Sequence, residues 1–324
     1  MARVLLTTMQ VQSIDDALLR PLADAGHELQ MLPQARATDA ETLIEALAGV
    51  EGVIAGVEPY TARILGAAPE LKIIARTGVG YDAIDVEAAT ANGVAVAPTP
   101  GANHHSVAEA AVGLIIASLR RFPFADRQMR TTGWNPRPYG VELRNKTVGV
   151  VGTGLIGKEV VRRLQGWDVT ILVSDVVQDA AFAEKYGARY VELPALFRES
   201  DAITLHAPLL PSTRHMVNEQ TLRAMKDTAY VVNTARGPLV DETALARALR
   251  ENWIAGAALD VFETEPLADD SPLKALDNVI LTQHVAGVTY ESMQAMTTMA
   301  VESVARVLRG EPPVACVNPV ALKR

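Results

Sequence analysis

A run of apolar residues, Val148-Gly149-Val150-Val151, passes directly into Gly152-Thr153-Gly154-Leu155-Ile156-Gly157 and then into a helical pattern. No other stretch of the chain restricts its fold so tightly. In a strand–turn–helix unit of this kind the first glycine makes the tight turn, the second lets backbone approach a pyrophosphate, and the third lets helix pack on strand. The helix then aims its free N–H groups and the positive end of its dipole at the anion. The motif lies near the middle of the chain, so a separate α/β region is expected ahead of it.

Gly-rich turns also arise for purely steric reasons, so the surroundings matter. Val169–Ser174 reads as the next strand, and Asp175 closes it, eighteen residues beyond Gly157. That is near the spacing at which an acid reaches the adenosine ribose 2′-OH. A carboxylate there repels a 2′-phosphate, which favours NAD over NADP. The alternative role for Asp175 is to cap a helix starting near Gln178.

The 324 residues suggest two domains, and 49% hydrophobic with 21% charged residues suits a globular protein with a sizeable core. A net charge of −8 and a pI near 5.4 argue against a nucleic-acid surface. The single cysteine, Cys316, excludes an internal disulfide and a Cys-rich metal site and fits a reducing compartment. His206 and His215 lack the neighbours of a metal site, so no metal is expected. The N-terminus turns polar by Gln10 and acidic by Asp15, as a first strand does and a signal peptide does not. Val107–Leu119 is interrupted by Glu109 and too short to cross a bilayer, so no membrane partner and a cytoplasmic location are expected.

Strand-like runs at Val4–Leu6, Glu28–Leu32, Gly52–Ala55, Leu71–Ala75 and Val94–Ala97 alternate with helical patterns such as Ile14–Ala25 and Asp39–Ala48. That alternation predicts a parallel sheet covered on both faces. Pro98-Thr99-Pro100-Gly101 breaks the pattern as a hinge would. A long helix from about Asn103 to Arg120 follows, then a second α/β series from Lys146 to about Val285. The last helix, roughly Glu291 to Arg309, is expected to return to the first domain. The predicted architecture is therefore α/β with two domains. Residues 1–100 plus 290–324 form a smaller flavodoxin-like substrate domain. Residues 101–289 form a Rossmann-type, doubly wound NAD domain. Ligands bind outside the carboxyl ends of such strands.

Three later segments end strand-like runs with polar residues. They are Tyr230–Gly237 with Arg236, Ala257–Pro266 with Asp260 and Glu265, and Val279–Gly287 with His284. Arg236 suits a bidentate grip on a carboxylate. His284 suits delivery or removal of the proton that accompanies hydride transfer. Glu265 suits the other imidazole nitrogen, fixing its tautomer and favouring the protonated ring. Each alone also fits a structural role, as a surface ion pair, a solvated acidic loop or a core histidine. Together, after a nucleotide-binding turn, they point to catalysis.

These motifs carry a family likeness. The segments Arg76-Thr77-Gly78-Val79-Gly80-Tyr81-Asp82, Asn103–Glu109, Gly152–Gly157, His206-Ala207-Pro208-Leu209, Asn233–Gly237, Asp260-Val261-Phe262, Glu265-Pro266 and His284 occur in order along essentially the whole chain. The chain resembles the D-isomer-specific 2-hydroxyacid dehydrogenases, near their phosphoglycerate dehydrogenase branch. The resemblance implies that Arg236, Glu265 and His284 are catalytic. It implies that Val79 and Gly80 hold the substrate carboxylate together with Arg236. Gly152, Gly154, Leu155, Ile156 and Gly157 would meet the pyrophosphate and Asp175 the ribose. His206, Ala207, Pro208, Thr234, Ala235, Asp260, Ala286 and Gly287 would line the rest of the NAD pocket. A homodimer, joined through the coenzyme domain and its leading helix, is implied too.

Two positions depart from the family pattern: Gln283 replaces the proline before the histidine, and Gly56-Val57-Glu58-Pro59-Tyr60 offers no base to a substrate phosphate. The chain ends at Arg324 without a regulatory domain, so serine feedback through one is not expected. The expected function is NAD-dependent interconversion of a D-2-hydroxyacid and its 2-ketoacid, phosphoglycerate dehydrogenase-like. Glyoxylate or hydroxypyruvate reduction is the first alternative, and an NAD-sensing corepressor-like binding protein is the second.

Overall fold

In the computed structural model, residues 1–8, 16–134 and 137–323 are described. They divide into two compact units, Met1–Asn103 with Val288–Arg324, and His104–Gly287. Gln10 and Asp15, and the start of the expected Ile14–Ala25 helix, lie outside the described residues.

The first unit is a five-stranded parallel sheet of β1 (Arg3–Leu6), β2 (Glu28–Met31), β3 (Gly52–Ala55), β4 (Ile73–Arg76) and β5 (Ala95–Ala97), in the order β2-β1-β3-β4-β5. This is the flavodoxin-like order. β3, β4 and β5 are buried along their whole length, as their unbroken apolar runs require of a sheet covered on both faces. The Tyr290–Leu308 helix packs Ala300, Val301, Val304 and Ala305 against Val4, Leu6, Ile54 and Ile73. Full burial of each large aliphatic side chain contributes about 1.5–3 kcal/mol. Asn318 fastens the C-terminal segment to the sheet, accepting from Val96 N at 2.8 Å and donating to Val94 O at 2.9 Å. Asp16–Leu19 is a 3-10 turn that runs into the Arg20–Ala23 α-turn, so the described part of the expected helix is helical and ends at Ala23, two residues before Ala25. Pro21 sits at the start of Arg20–Ala23, where the missing N–H costs nothing.

The second unit is a seven-stranded parallel sheet of β6 (Thr147–Val151), β7 (Thr170–Ser174), β8 (Ala188–Tyr190), β9 (Ala202–Leu205), β10 (Tyr230–Asn233), β11 (Gly256–Leu259) and β12 (Val279–Leu281). The order β12-β11-β10-β9-β6-β7-β8 is the Rossmann order with one strand added at the edge. The order reverses between β6 and β9, and a crevice outside the carboxyl ends of those strands is where such a sheet receives a ligand. The His104–Leu119 helix packs against the Leu155–Arg163 helix and buries Ala108, Ala111 and Ile115.

Candidate active site

The turn after β6 is built by contact as well as by conformation. Gly152 has φ +90°, and a Cβ there would stand 2.7 Å from the carbonyl carbon of His206, which follows β9. A Cβ on Gly157 would stand 1.9 Å from Gly152 O, so only glycine lets the helix start that close to the strand. Gly154 differs, since a Cβ there meets nothing within 4 Å. It caps the nine-residue Leu155–Arg163 helix without a side-chain bond, so the first-turn N–H groups, which have no partner within the helix, begin beside open space. That open, donor-lined space is what a pyrophosphate needs.

Asp175 follows β7 directly. Its Oδ2 accepts from Thr153 N at 2.5 Å and from Thr153 Oγ1 at 3.1 Å, and its Oδ1 accepts from Val177 N at 3.0 Å. Burial works to raise the Asp175 carboxyl, but the Val177 and Thr153 donors outweigh it and hold the group below the usual carboxylate range. Asp175 caps no helix. The next helix, Ala180–Lys185, is capped by Asp179 through Phe182 N. On the other side of the turn, His206 Nε2 lies 2.9 Å from Thr204 Oγ1. Its Nδ1 is buried with no hydrogen-bond partner among the described residues, as is Thr234 Oγ1 at the end of β10. Burial pushes His206 down to about 3, so its ring stays neutral. The spaced glycines, the free helix end, the anchored acid and these two orphan polar atoms fit NAD. Ala207 and Pro208 continue the β9 loop, Ala207 half-buried and Pro208 exposed.

The three polar loops lie beyond their strands rather than at the last strand residue, because the sheet ladder stops first. β10 ends at Asn233, three residues before Arg236; β11 ends at Leu259, six before Glu265; and β12 ends at Leu281, three before His284. Asn233 shapes the arginine turn, accepting from Ala235 N at 3.1 Å and donating to Arg236 O at 2.8 Å. Asp260, 1% exposed, organises the histidine loop. Its Oδ1 accepts from Val285 N at 2.9 Å and Thr282 Oγ1 at 2.5 Å, its Oδ2 from Ala286 N at 2.8 Å, and its carbonyl from His284 N at 2.8 Å. Held this way, His284 adopts φ +55°, in the left-handed region.

His284 Nδ1 meets Glu265 Oε2 at 2.7 Å, and Glu265 Oε1 accepts from Phe262 N at 3.0 Å. Burial acts to raise Glu265, but the His284 hydrogen bond and charge, with Phe262 N–H and Arg236, bring it below the ordinary carboxylate range. Glu265 is therefore an anion across the neutral range, bonded to His284 through Nδ1 and leaving Nε2 outside that contact. Arg236, Glu265 and His284 thus stand together within the second unit. Arg236 Nη1 also donates to Ala235 O at 2.7 Å. Val79 and Gly80 belong to the first unit, in a turn where Arg76 Nε donates to Gly80 O at 2.9 Å and Val79 is exposed.

Several organisers escape a reading of sequence. Asp260 sits in a quoted motif, but its ties to the 282–286 loop leave no mark in spacing. Gly237 lies so close to the Phe262–Glu263 peptide that a Cβ would stand 1.8 Å from Phe262 O. The Arg-Gly dipeptide is the one available sign of that approach. His104, His105 and Glu159 also converge, but Glu159 is already paired with Arg162 and Arg163, whose charges oppose a cation there.

Residues 112–286 match the family described as D-isomer specific 2-hydroxyacid dehydrogenase, NAD binding domain. A glyoxylate reductase of Thermofilum pendens is 46% identical over 268 residues, covering 81% of this chain and 79% of that protein. A D-3-phosphoglycerate dehydrogenase of Methanocaldococcus jannaschii is 44% identical over 253 residues, covering 78% of this chain and 48% of that longer protein. The crystal structure of a glyoxylate reductase from Paecilomyes thermophila superposes with a TM-score of 0.85 at 29% identity, covering 98% of each chain. This chain belongs to the D-isomer-specific 2-hydroxyacid dehydrogenase family and carries that family's NAD-binding domain.

Proposed function

We propose that the protein reduces a small, unphosphorylated 2-ketoacid of the glyoxylate or hydroxypyruvate type to the 2-hydroxyacid, with NADH as reductant. The observation that carries this reading is the Arg236, Glu265 and His284 array, which follows strands of the same sheet that carries the NAD-type turn. Arg236 holds the substrate carboxylate through its guanidinium fork. Bound NADH supplies the hydride that the carbonyl carbon accepts. His284 gives its proton to the carbonyl oxygen, and Glu265 stabilises the imidazolium before that transfer. In oxidation the neutral imidazole takes the proton back.

Two observations favour a small substrate over a phosphorylated one. Relatives matched over about nine-tenths of both lengths include glyoxylate reductases. The loop after β3, residues 56–60, offers no base to pair with a phosphate, and its one acid, Glu58, is buried and bonded to Tyr60 Oη at 3.0 Å and Gly56 N at 3.2 Å. A panel of glyoxylate, hydroxypyruvate, pyruvate and 3-phosphohydroxypyruvate, followed by NADH absorbance, tests the reading. Highest kcat/KM on the first two supports it, and preference for the phosphorylated acid overturns it. No turnover of any ketoacid would favour a binding protein that senses NAD.

We read the protein as cytoplasmic, given its lone cysteine, and as a homodimer. Among the described residues, no helix is long and apolar enough to cross a membrane. The Phe122–Thr131 helix buries none of its residues, and Phe122, Met129, Trp134 and Tyr139 are 50%, 54%, 65% and 96% exposed. Such an aromatic surface suits a second copy. Light scattering at twice 34.7 kDa supports the dimer, and scattering at 34.7 kDa overturns it.

A further inference from the structure

The loops bearing Arg236 and Glu265 are fastened to each other by groups with no part in the chemistry above. Gly237 brings bare backbone against the Phe262–Glu263 peptide, where a Cβ would stand 2.5 Å from Glu263 N. Glu242, the first residue of the Glu242–Arg250 helix, accepts from Glu263 N at 2.5 Å. His215 N donates to Pro238 O at 2.8 Å, and His215 Nε2 contacts Glu263 Oε1. The 262–263 peptide is thereby met by Gly237 and Glu242, and the Glu263 side chain by His215. The preceding N–H, on Phe262, is the one that Glu265 Oε1 accepts before Glu265 Oε2 turns to His284.

The carboxylate of Glu242 is not needed to cap its own helix. Asp241 does that, accepting from Ala244 N at 2.9 Å. Glu242 is spent on the neighbouring loop instead, in an unfavourable electrostatic setting. Burial pushes its carboxyl up, and the charges of Glu263 and Glu265 add to the effect against the helping Glu263 N–H. Asp241 stands next to it in the chain, His215 faces Glu263, and Arg236 bears on Glu265. An acid kept where two other acids repel it must supply something that a neutral acceptor would not.

We propose that Glu242 is a positioning residue for the acid–histidine pair, clamping the Phe262–Glu263 peptide so that Glu265 is held on His284. Its charge strengthens the hold of the pair on the His284 proton. The inference rests on the reading of His284 as the proton donor in ketoacid reduction.

Two substitutions separate clamp from charge. Glu242→Gln keeps an oxygen to accept Glu263 N–H but removes the charge; Glu242→Ala removes both. In the full-length enzyme, glyoxylate reduction by NADH is measured against pH, alongside NADH affinity by fluorescence titration. In Glu242→Gln the alkaline fall of kcat/KM moves to lower pH by roughly half a unit, as expected for one nearby charge in a well-screened setting. In Glu242→Ala kcat drops a further tenfold or so, the cost of a slightly misplaced pair, with NADH affinity kept. Wild-type pH profiles and kcat in both variants would overturn the proposal, as would equal loss of kcat and NADH affinity. Should the Ala variant not fold, the Gln profile decides. NMR titration of the His284 imidazole reads the same shift without turnover. An inactive wild type would therefore break the functional reading, whereas an unmoved titration in Glu242→Gln would break this inference.

Discussion

The loop that leaves β6 and the loop that leaves β12 present groups outside the carboxyl ends of the same sheet, but they are held in different ways. The first is set mainly by bare backbone: Gly152 turns against His206 and Gly157 lets the helix start against Gly152 O, with Thr153 tied to Asp175. The second is imposed from outside. Asp260, just past β11, bonds four groups of the 282–286 segment and holds a non-glycine residue, His284, at φ +55°. A loop that only has to cradle an anion works with bare backbone and needs few partners. A loop that must aim one ring nitrogen within a few tenths of an ångström recruits buried polar organisers.

If that contrast is right, damage to the two loops should differ in kind. The largest effect short of the histidine itself should come from Arg236→Ala. Losing the carboxylate fork should cut kcat/KM for glyoxylate at least a hundredfold, and steady-state kinetics should show NADH affinity little changed. Gly157→Ala attacks the first loop where a Cβ would stand 1.9 Å from Gly152 O. NADH binding by fluorescence should weaken severely and the melting temperature should fall by several degrees. Asp175→Ala should weaken NADH by about tenfold and narrow the preference over NADPH, read as the ratio of the two Kd values. An unchanged ratio would remove Asp175 from cofactor selection.

The smallest effect concerns pH. His206 sits at about 3 in the folded chain because burial disfavours its charged form. The unfolded chain therefore binds a proton below about pH 6.5 that the native state refuses, and stability falls as pH falls through that window. The slope from this one group approaches, at most, roughly 1.4 kcal/mol per pH unit. Denaturant titrations between neutral pH and about 5, above the range of most carboxylates, should show a flatter decline in His206→Asn. Equal slopes in the two proteins would show that the ring accepts its proton in place.

The same contrast explains what could be read from residues alone. Strand-like runs and their alternation with helices carry both parallel sheets, because strands buried on both faces leave unbroken apolar runs such as Gly52–Ala55. The dinucleotide turn is legible because its chemistry lies in contiguous glycines. Arg236, Glu265 and His284 stand out as polar residues following apolar strands, and they do converge. Hidden were the parts made by tertiary contact. Asp260 reaches across to the histidine loop, Gly237 admits the Phe262 carbonyl, and Glu242 and His215 grip Glu263 from elements far apart in sequence. Apolar spacing likewise does not show that the helical stretch there is a 3-10 turn passing into the short Arg20–Ala23 α-turn.

The central claim is that His284, held by Glu265, delivers the proton in ketoacid reduction. It is tested most directly by measuring kcat for glyoxylate and Kd for NADH on His284→Ala. Loss of a positioned general acid should lower kcat by about 10²–10⁴-fold while NADH Kd stays within roughly twofold of wild type. A variant that keeps its turnover, or that loses turnover and NADH affinity in equal measure, would contradict the account.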